Sequence, residues 1–598
     1  MSCVHELFEA QAARSPQAVA VIDGSGETTY ETLDQRVNQL AHRLRRLGVG
    51  PERLVAILLE RNLDMIVAML ATLKAGGGYV ALNPAHPPER LAGIVADCRA
   101  QVVLTETDLR GRLPAHPNVV VLDAERAQLD REPTVSPGSS VDPRNVACLV
   151  YTSGSTGQPK GVAIEHRSVA NLAVWAGEVF DAADLAVVLA GSPTSCDCAL
   201  FEILTPLVLG GGVLLAPSAL DLPRLPAARH VTLVPVPATT MSELLRAKGV
   251  PSSVRVVNLS GETVGRDLVD DVYRCTSAQR VFNLYGVSEA AMYSTCTLVA
   301  REAKDHVSAG GPIANTSLHV LDEQLREVPP GGLGELCVGG IGVARGYLGQ
   351  PALTAERFVA EPSGGRGARL YRTGDLAERL ADGTVRVLGR LDHQVKIRGF
   401  RVELGDVESG LRRLPGVHDA VVVAHRDDCD GARLIAYVVP AVEDGSPSRL
   451  EPATLRDLLS DALPHEMVPA AIVPLDHFPT APNGKVDRRA LPAVDLHEAT
   501  APGPSAPADD PLERGLQRIW SAVLRIETPG VHDDFLAIGG DSLLASRVVC
   551  RVRDELGYDL PLRTLFEVRT IEALADHIRA AEPHSTVTAP PLVALPRR

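Results

Sequence analysis

Residues 149–161 read LVYTSGSTGQPKG. The apolar run from Val146 to Tyr151 reads as a buried strand. Behind it come Thr152, Ser153, Gly154, Ser155, Thr156 and Gly157, then Pro159, Lys160 and Gly161. Glycines let a backbone approach an anion closely, N–H groups and hydroxyls donate hydrogen bonds, and the lysine adds a cation. That composition suits a polyphosphate. The spacing is not Gly-x-x-x-x-Gly-Lys-Ser/Thr, so this is not a Walker loop. Most runs rich in Gly and Ser are surface linkers. Here a second strand, Val162 to Ile164, follows at once, and strand–loop–strand is the setting a phosphate loop needs.

Outward from this loop the chain alternates. Val4 to Arg14 reads as a helix and Ala18 to Ile22 as a strand. An amphipathic helix runs to Leu47 with Leu33, Val37, Leu40 and Leu44 on one face. Leu54 to Leu58, Gly78 to Leu82 and Ala100 to Leu104 read as strands, separated by helices over Asp64 to Lys74 and Pro88 to Cys98. The pattern predicts an α/β domain with a largely parallel sheet. Leu73-Lys74-Ala75-Gly76-Gly77-Gly78 is a glycine-rich helix stop before a strand and is assigned no chemistry.

At 598 residues the chain is about four typical domains long. Hydrophobic content of 45% and charged content of 22% are those of an ordinary globular protein. A net charge of −15 argues against a nucleic-acid surface. There is no apolar run of membrane-spanning length and no signal-peptide pattern at Met1, so no membrane partner and a cytoplasmic location are expected. The ten cysteines show no CxxC pairs. Cys196 and Cys198 flank Asp197 too closely for a usual zinc knuckle, and all ten are expected as reduced thiols.

The 149–161 loop closely resembles the signature loop of the adenylate-forming superfamily, in particular that of nonribosomal peptide synthetase adenylation domains. The resemblance continues over nearly the whole chain. Residues 283–289, Asn-Leu-Tyr-Gly-Val-Ser-Glu, resemble the family's Asn-x-Tyr-Gly-Pro-Thr-Glu, with Val287 for proline and Ser288 for threonine. Tyr285 can stack on adenine, and Ser288 and Glu289 can hold phosphate and Mg, which prefers oxygen ligands. Losing the proline leaves the loop less stiff. The resemblance implies that Gly261 also borders ATP, that Asp375 in Tyr-Arg-Thr-Gly-Asp-Leu accepts from the ribose hydroxyls, and that Arg390 contacts the nucleotide. It makes Asp392 the hinge to a small C-terminal subdomain and Gly399 the glycine of a pantetheine tunnel. Lys485, in Pro-Asn-Gly-Lys at a turn signal, becomes the catalytic lysine beside Lys160.

Asp197 lies in the apolar stretch CDCALFEI, where a carboxylate needs a cationic partner or pays a desolvation cost. The resemblance places it against a substrate α-ammonium group. Cys196 stands where the family has Phe, and Phe201 where it has Trp. Aligned on the family, the amino-acid pocket is Asp197, Cys198, Phe201, Pro235, Asn258, Ser260, Leu284, Met292 and Tyr293. It carries no second charge, so a neutral or weakly polar side chain is expected, of which an aromatic one with a hydrogen-bonding group is an example.

From Glu498 to Asp510 the chain is rich in Ala, Pro and acidic residues, as a stiff, solvated linker is. Helical segments over Leu512 to Leu524, Ser542 to Leu556 and Thr570 to Ala580, with a short one near Pro561 to Glu567, predict a small all-α four-helix domain. Ser542 stands where an N-cap serine is ordinary. Gly539-Gly540-Asp541-Ser542 on such a bundle resembles peptidyl carrier proteins, in which the serine carries 4′-phosphopantetheine.

The organisation expected is a large α/β domain over 1–391, a small α+β subdomain over 392–495, a linker over 496–510, a carrier domain over 511–582 and a disordered tail over 583–598. The function implied is an adenylation–carrier didomain that forms an aminoacyl-AMP from ATP and an amino acid and loads it on the arm of Ser542. No condensation motif, His-His-x-x-x-Asp-Gly, and no thioesterase serine motif occur. A free-standing unit is therefore expected, with a tailoring or condensing enzyme in trans, a phosphopantetheinyl transferase as partner, and a role in antibiotic or other secondary metabolism. The need for an MbtH-like protein is left open. Two rivals are weighed. An acyl- or aryl-acid–AMP ligase would give Asp197 no partner. A non-catalytic scaffold has no use for Lys160, Glu289, Asp375, Arg390 and Lys485 together.

Overall fold

The structure, a computed structural model, describes the chain except residues 1, 139, 155–158, 303–306, 363–364, 366, 393, 398–399, 428–430, 444–445, 449, 481–485, 489, 495–507, 509, 537, 541, 559, 562–563 and 581–598. Side chains at 426–427, 431–432, 443, 446–447, 465 and 542–543 are likewise outside the description. The chain divides into two compact units, Met1–Arg488 and Arg489–Arg598.

The first unit is built on two large sheets. In one, the strands Val19–Asp23, Gly212–Leu215, Val187–Ala190, Leu233–Pro237, Val256–Ser260 and Arg280–Tyr285 run parallel, with antiparallel strands at both ends. In the other, Val146–Thr152, Gly78–Ala81, Leu54–Leu58, Val102–Thr105 and Val119–Val121 are parallel, and Lys160–Glu165 returns antiparallel to Val146–Thr152. The single largely parallel sheet expected from the alternation is thus corrected to two. Strand periodicity marks which segments are strands but carries nothing about which segments pair. A third, antiparallel sheet joins Thr316–Leu321, Leu333–Gly340, Arg369–Arg379, Phe358–Ala360 and Val385–Arg390.

Local chemistry explains the elements between the strands. Thr29 caps the helix Tyr30–Arg46 by accepting the Thr32 N–H, and Leu33, Val37, Leu40 and Leu44 all face the core. The helix Leu63–Ala75 is buried almost throughout and stops at Gly76, whose φ of 99° suits only glycine. Lys74 is wholly buried and paired with Glu9 at 3.0 Å and Asp34 at 2.5 Å. Its role is structural, because a buried ammonium persists only when paired.

Beyond Arg390 the chain forms a hairpin, Gln394–Ile397 with Phe400–Glu403, followed by the helix Leu404–Arg412. The strands Val417–Asp427, Gly431–Pro440 and Ala471–Pro474 and the helix Pro452–Ala462 complete a small α+β layer. The second unit is all-α, with helices Pro511–Leu524, Ser542–Arg551, Thr564–Glu567 and Ile571–Ala580 around Leu516, Ile519, Trp520, Phe535, Val548 and Leu574. The helix expected to run from Ser542 to Leu556 is regular only to Arg551, and a π turn, Val552–Leu556, finishes it.

Candidate active site

The 149–161 loop is the tip of an antiparallel pair in which Thr152 lies opposite Lys160. Ser155, Thr156 and Gly157 lie outside the described residues. Lys160 is buried, 4.0 Å from Glu289 and 3.6 Å from Glu403, and its ammonium sits 5.2 Å over the Tyr347 ring. Burial, and next the Arg401 guanidinium, lower its pKa, against the pull of both carboxylates. Glu289 has no exposed surface. It accepts from Arg401 at 2.9 Å and from the Tyr347 hydroxyl at 2.7 Å. Burial acts to raise its pKa, but Arg401 and Lys160 outweigh it and hold the carboxyl at about 2. The Thr152 hydroxyl is buried with no partner among the described residues. The ionised Glu289 carboxylate and the Thr152 hydroxyl are hard-oxygen groups of the kind Mg takes, and Lys160 and Arg401 are cations of the kind phosphate oxygens meet.

Tyr285 donates to Asp375 at 2.5 Å, and Arg390 pairs with Asp375 at 3.0 Å and Asp392 at 2.7 Å. Gly374 makes this geometry possible. Its φ is 74°, and a Cβ there would stand 2.8 Å from both Arg390 and Asp392. Gly286 is constrained in another way, since its Cβ would fall 1.7 Å from the Met292 carbonyl oxygen. That carbonyl belongs to a turn in which Ala291 and Met292 both have positive φ, at 53° and 79°. Strain of this kind persists only where the surroundings over-determine it.

One open cleft with an empty volume of about 690 Å³ is lined by Cys196, Asp197, Cys198, Ser260, Gly261, Gly286, Val287, Ser288, Met292 and Tyr293, and by Arg390, Gln394, Val395, Lys396 and Arg401. Of the nine residues aligned on the amino-acid pocket, Asp197, Cys198, Ser260, Met292 and Tyr293 are on this wall. Phe201, Pro235, Asn258 and Leu284 are buried and do not line it. Phe201 packs against Tyr293, the two rings 5.4 Å apart. Asn258 lies in strand register between Pro235 and Phe282, and both polar atoms of its amide are buried without a partner among the described residues.

The hairpin is the part of the site that sequence reasoning missed. Gln394 lies opposite Glu403 and Lys396 opposite Arg401. Like charges directly opposite one another destabilise an antiparallel pair. The large domain supplies part of the compensation: Glu289 pairs with Arg401, while burial lowers the Lys396 pKa and the Asp375 and Asp197 carboxylates offset that only in part against the neighbouring arginines. Ser153 donates to the Arg401 carbonyl at 2.8 Å, and the Gly154 N–H donates to Asp406 at 3.1 Å. Asp406 is pushed up to about 6 by burial, against the Gly154 N–H and Arg90. The small subdomain thus presents Arg401, Glu403 and Asp406 to Glu289, Lys160 and the loop backbone. The alternation of polar residues on either side of Gly399 is the sequence signal that could have found this face. Gly399 and Lys485 lie outside the described residues. The flanks of Lys485 pair as a bridge between Thr480 and Val486.

Residues 8–348 match the family model of the AMP-binding enzyme. The chain belongs to that family. Residues 406–485 match the AMP-binding enzyme C-terminal domain, and residues 514–578 match the phosphopantetheine attachment site. This AMP-binding enzyme is 44% identical over 97% of its length to a linear gramicidin synthase of Brevibacillus parabrevis, and 41% identical over 96% to phosphinothricin tripeptide synthetase PhsC of Streptomyces viridochromogenes. It spans 11% of the first relative and 53% of the second, so the expectation of a free-standing unit draws no support from them. A solved NRPS protein containing adenylation and PCP domains, bound to a vinylsulfonamide inhibitor, aligns with a TM-score of 0.78 at 26% identity, over 97% of this chain and 96% of that one. The fold expected from the resemblance, with a large α/β domain, a small α+β subdomain and a helical carrier domain, is the one found. Ser542 opens the helix Ser542–Arg551, its side chain outside the described residues. Gly540 before it packs so closely that a Cβ would meet the Phe535 carbonyl oxygen at 2.3 Å. Among the described residues no helix is long and apolar enough to cross a membrane.

Proposed function

We propose that this chain is an adenylation–carrier unit of nonribosomal peptide biosynthesis. It activates an amino acid with ATP as the aminoacyl-AMP, releases pyrophosphate, and transfers the acyl group to its own carrier domain. The observation that carries this reading is that Asp197 shares one cleft with Ser288, Arg390 and Arg401, of which Arg390 pairs with Asp375 and Arg401 with Glu289, in a chain that also matches the phosphopantetheine attachment family. Its domains are those of 1–391, 392–495 and 511–582, with a linker over 496–510.

In this reading Lys160, Thr152, Ser153 and Gly154, with Ser155, Thr156 and Gly157, hold the phosphates. Glu289 would hold Mg, which neutralises phosphate charge. Tyr285, Ser288 and Gly261 border the nucleotide, Asp375 takes the ribose and Arg390 steadies it. Lys485 stabilises the charge that develops as the carboxylate attacks the α-phosphate. Rotation about Asp392 exchanges Lys485 for the hairpin, and Gly399 lets the pantetheine arm approach. The arm on Ser542, added by a phosphopantetheinyl transferase, supplies the thiol that accepts the acyl group. The acyl chain then passes to a condensing or tailoring activity.

Asp197 binds the substrate ammonium. Beside Asp197, the aligned residues on this wall are Cys198, Ser260, Met292 and Tyr293, which carry no second charge and favour a neutral substrate side chain with a hydrogen-bonding group. Amino-acid-dependent pyrophosphate exchange across a panel of standard and β-modified amino acids tests the reading. Exchange with one neutral amino acid is expected. Asp197→Ala should raise its KM by the equivalent of about 2–5 kcal/mol while leaving the KM for ATP in place. Exchange driven by an aryl or fatty acid, with Asp197→Ala silent, would replace this reading with the acyl-acid ligase.

A further inference from the structure

Asp197 is flanked by two thiols whose sulfurs are 3.1 Å apart. The Cys196 sulfur lies 3.2 Å from Asp197 Oδ1 and the Cys198 sulfur 4.0 Å from the same oxygen. All three side chains line the cleft. We propose that Cys196, Asp197 and Cys198 form a binding site for a soft divalent ion, Zn2+ or Cd2+, on the cleft wall.

The donor chemistry selects the ion. Thiolate sulfur prefers zinc-like metals, whereas Mg prefers the all-oxygen set at Glu289. Zinc–sulfur bonds of about 2.3 Å in a tetrahedron set two sulfurs about 3.8 Å apart. Opening the present pair to that separation needs side-chain rotation only, because both residues already face the open cleft. Three protein ligands leave a fourth position directed into the cleft, free for water. Lys396, Arg390 and Arg401 line the same cleft and oppose a bare dication. Two thiolates and a carboxylate bring three negative charges, so the loaded site keeps a net charge of −1 facing those cations. The contact with Cys198, and then burial, raises the Cys196 thiol; the Cys196 contact lowers Cys198, but burial and the nearby carboxylates outweigh it and raise that thiol as well. Loading therefore exchanges two thiol protons for the ion, with no change of oxidation state, and tightens as pH rises. The other cluster of metal-ligating groups among the described residues, Cys3, His5 and His166, is buried and partly committed. Cys3 donates to the Val141 carbonyl and Val4 N–H donates to His166 Nδ1.

The binding site stands without the amino-acid reading, and only its consequence rests on that reading: a metal ion on Asp197 competes with the substrate ammonium. Cadmium is titrated into the full chain and followed by the ultraviolet charge-transfer absorption of cadmium thiolates. The expected result is a one-equivalent phase that weakens by at least about 100-fold in Cys196→Ser and in Cys198→Ser, more than the 10–100-fold that loss of an outer partner of a metal ligand costs. The double variant should lack the phase, and Cys275→Ser, at an exposed cysteine, should retain it. Alanine versions and thermal unfolding identify a variant that merely misfolds. A one-equivalent phase unchanged in the folded double variant overturns the site. The amino acid that supports exchange is then added at saturation. Displacement of cadmium, with zinc inhibition of exchange competitive against that amino acid, supports both the site and the substrate assignment. Cadmium binding that needs both cysteines yet ignores the amino acid upholds the metal site and removes the ammonium from Asp197.

Discussion

Arg401→Ala removes a buried ion pair between the hairpin and the large domain. Glu289 has no exposed surface, and the guanidinium lies 2.9 Å from it. Stripping one partner from a buried ion pair costs about 3–5 kcal/mol, because the other charge stays buried. Glu289 would retain the Tyr347 hydroxyl at 2.7 Å and Lys160 at 4.0 Å. The loss also relieves the repulsion between Arg401 and Lys396 across the hairpin. Both effects place the cost near the lower bound, about 3 kcal/mol, or a factor of about 100 in the population of the docked hairpin. The half-reaction that uses this arrangement should slow by that factor. Since Lys485 is assigned to adenylate formation and the hairpin to acyl transfer, the assay separates the two. Single-turnover formation of aminoacyl-AMP should stay within a few-fold of the parent. Transfer from preformed aminoacyl-AMP to the carrier thiol should fall about 100-fold, with partial recovery in Arg401→Lys, which keeps the charge but not the planar fork. Equal loss in both half-reactions would mean that Arg401 serves the nucleotide directly, and unchanged transfer would mean that the docked hairpin has no catalytic part.

Lys485→Ala should show the opposite pattern, with adenylate formation nearly abolished and transfer from preformed adenylate retained; parallel loss in both steps would remove its assignment. Ser542→Ala should keep pyrophosphate exchange at the parent rate and lose all thioester, read by intact-protein mass after incubation with coenzyme A, a transferase, ATP and amino acid; acylation that persists would locate the loading site elsewhere. Gly286→Ala places a Cβ 1.7 Å from the Met292 carbonyl oxygen in a turn already strained. It should destabilise the large unit by about 3 kcal/mol, the upper end for overpacking, seen as a lowered first transition in thermal unfolding; an unchanged transition would show that the turn yields.

The elements nearest the phosphate loop were legible because their signals are local. The strand Leu54–Leu58 has the limits expected from its apolar run, and the helix Tyr30–Arg46 starts at a threonine cap and buries the four expected residues. The strand–loop–strand context was readable for the same reason. The hairpin was not. Nothing in Lys396 or Arg401 announces that the carboxylates opposing their charges lie at Asp197, Asp375 and Glu289, the last 112 residues from Arg401. The same holds for Tyr347, whose hydroxyl reaches Glu289, and for Gly286, whose constraint comes from the backbone of Met292.

By itself, the sequence determined the order of strands and helices, and its resemblance at Gly539-Gly540-Asp541-Ser542 marked the helical domain as a carrier. The element order rests on composition and spacing over a few residues, and residue contacts at that range follow from backbone periodicity. Only the tertiary structure decided that the strands divide between two sheets, that Asn258 is buried with its amide unpaired among the described residues, and that the small subdomain sets Arg401, Glu403 and Asp406 against Glu289, Lys160 and the loop. Pairing across a fold is chosen by which surfaces and charges can be buried together, and that choice depends on the whole chain at once.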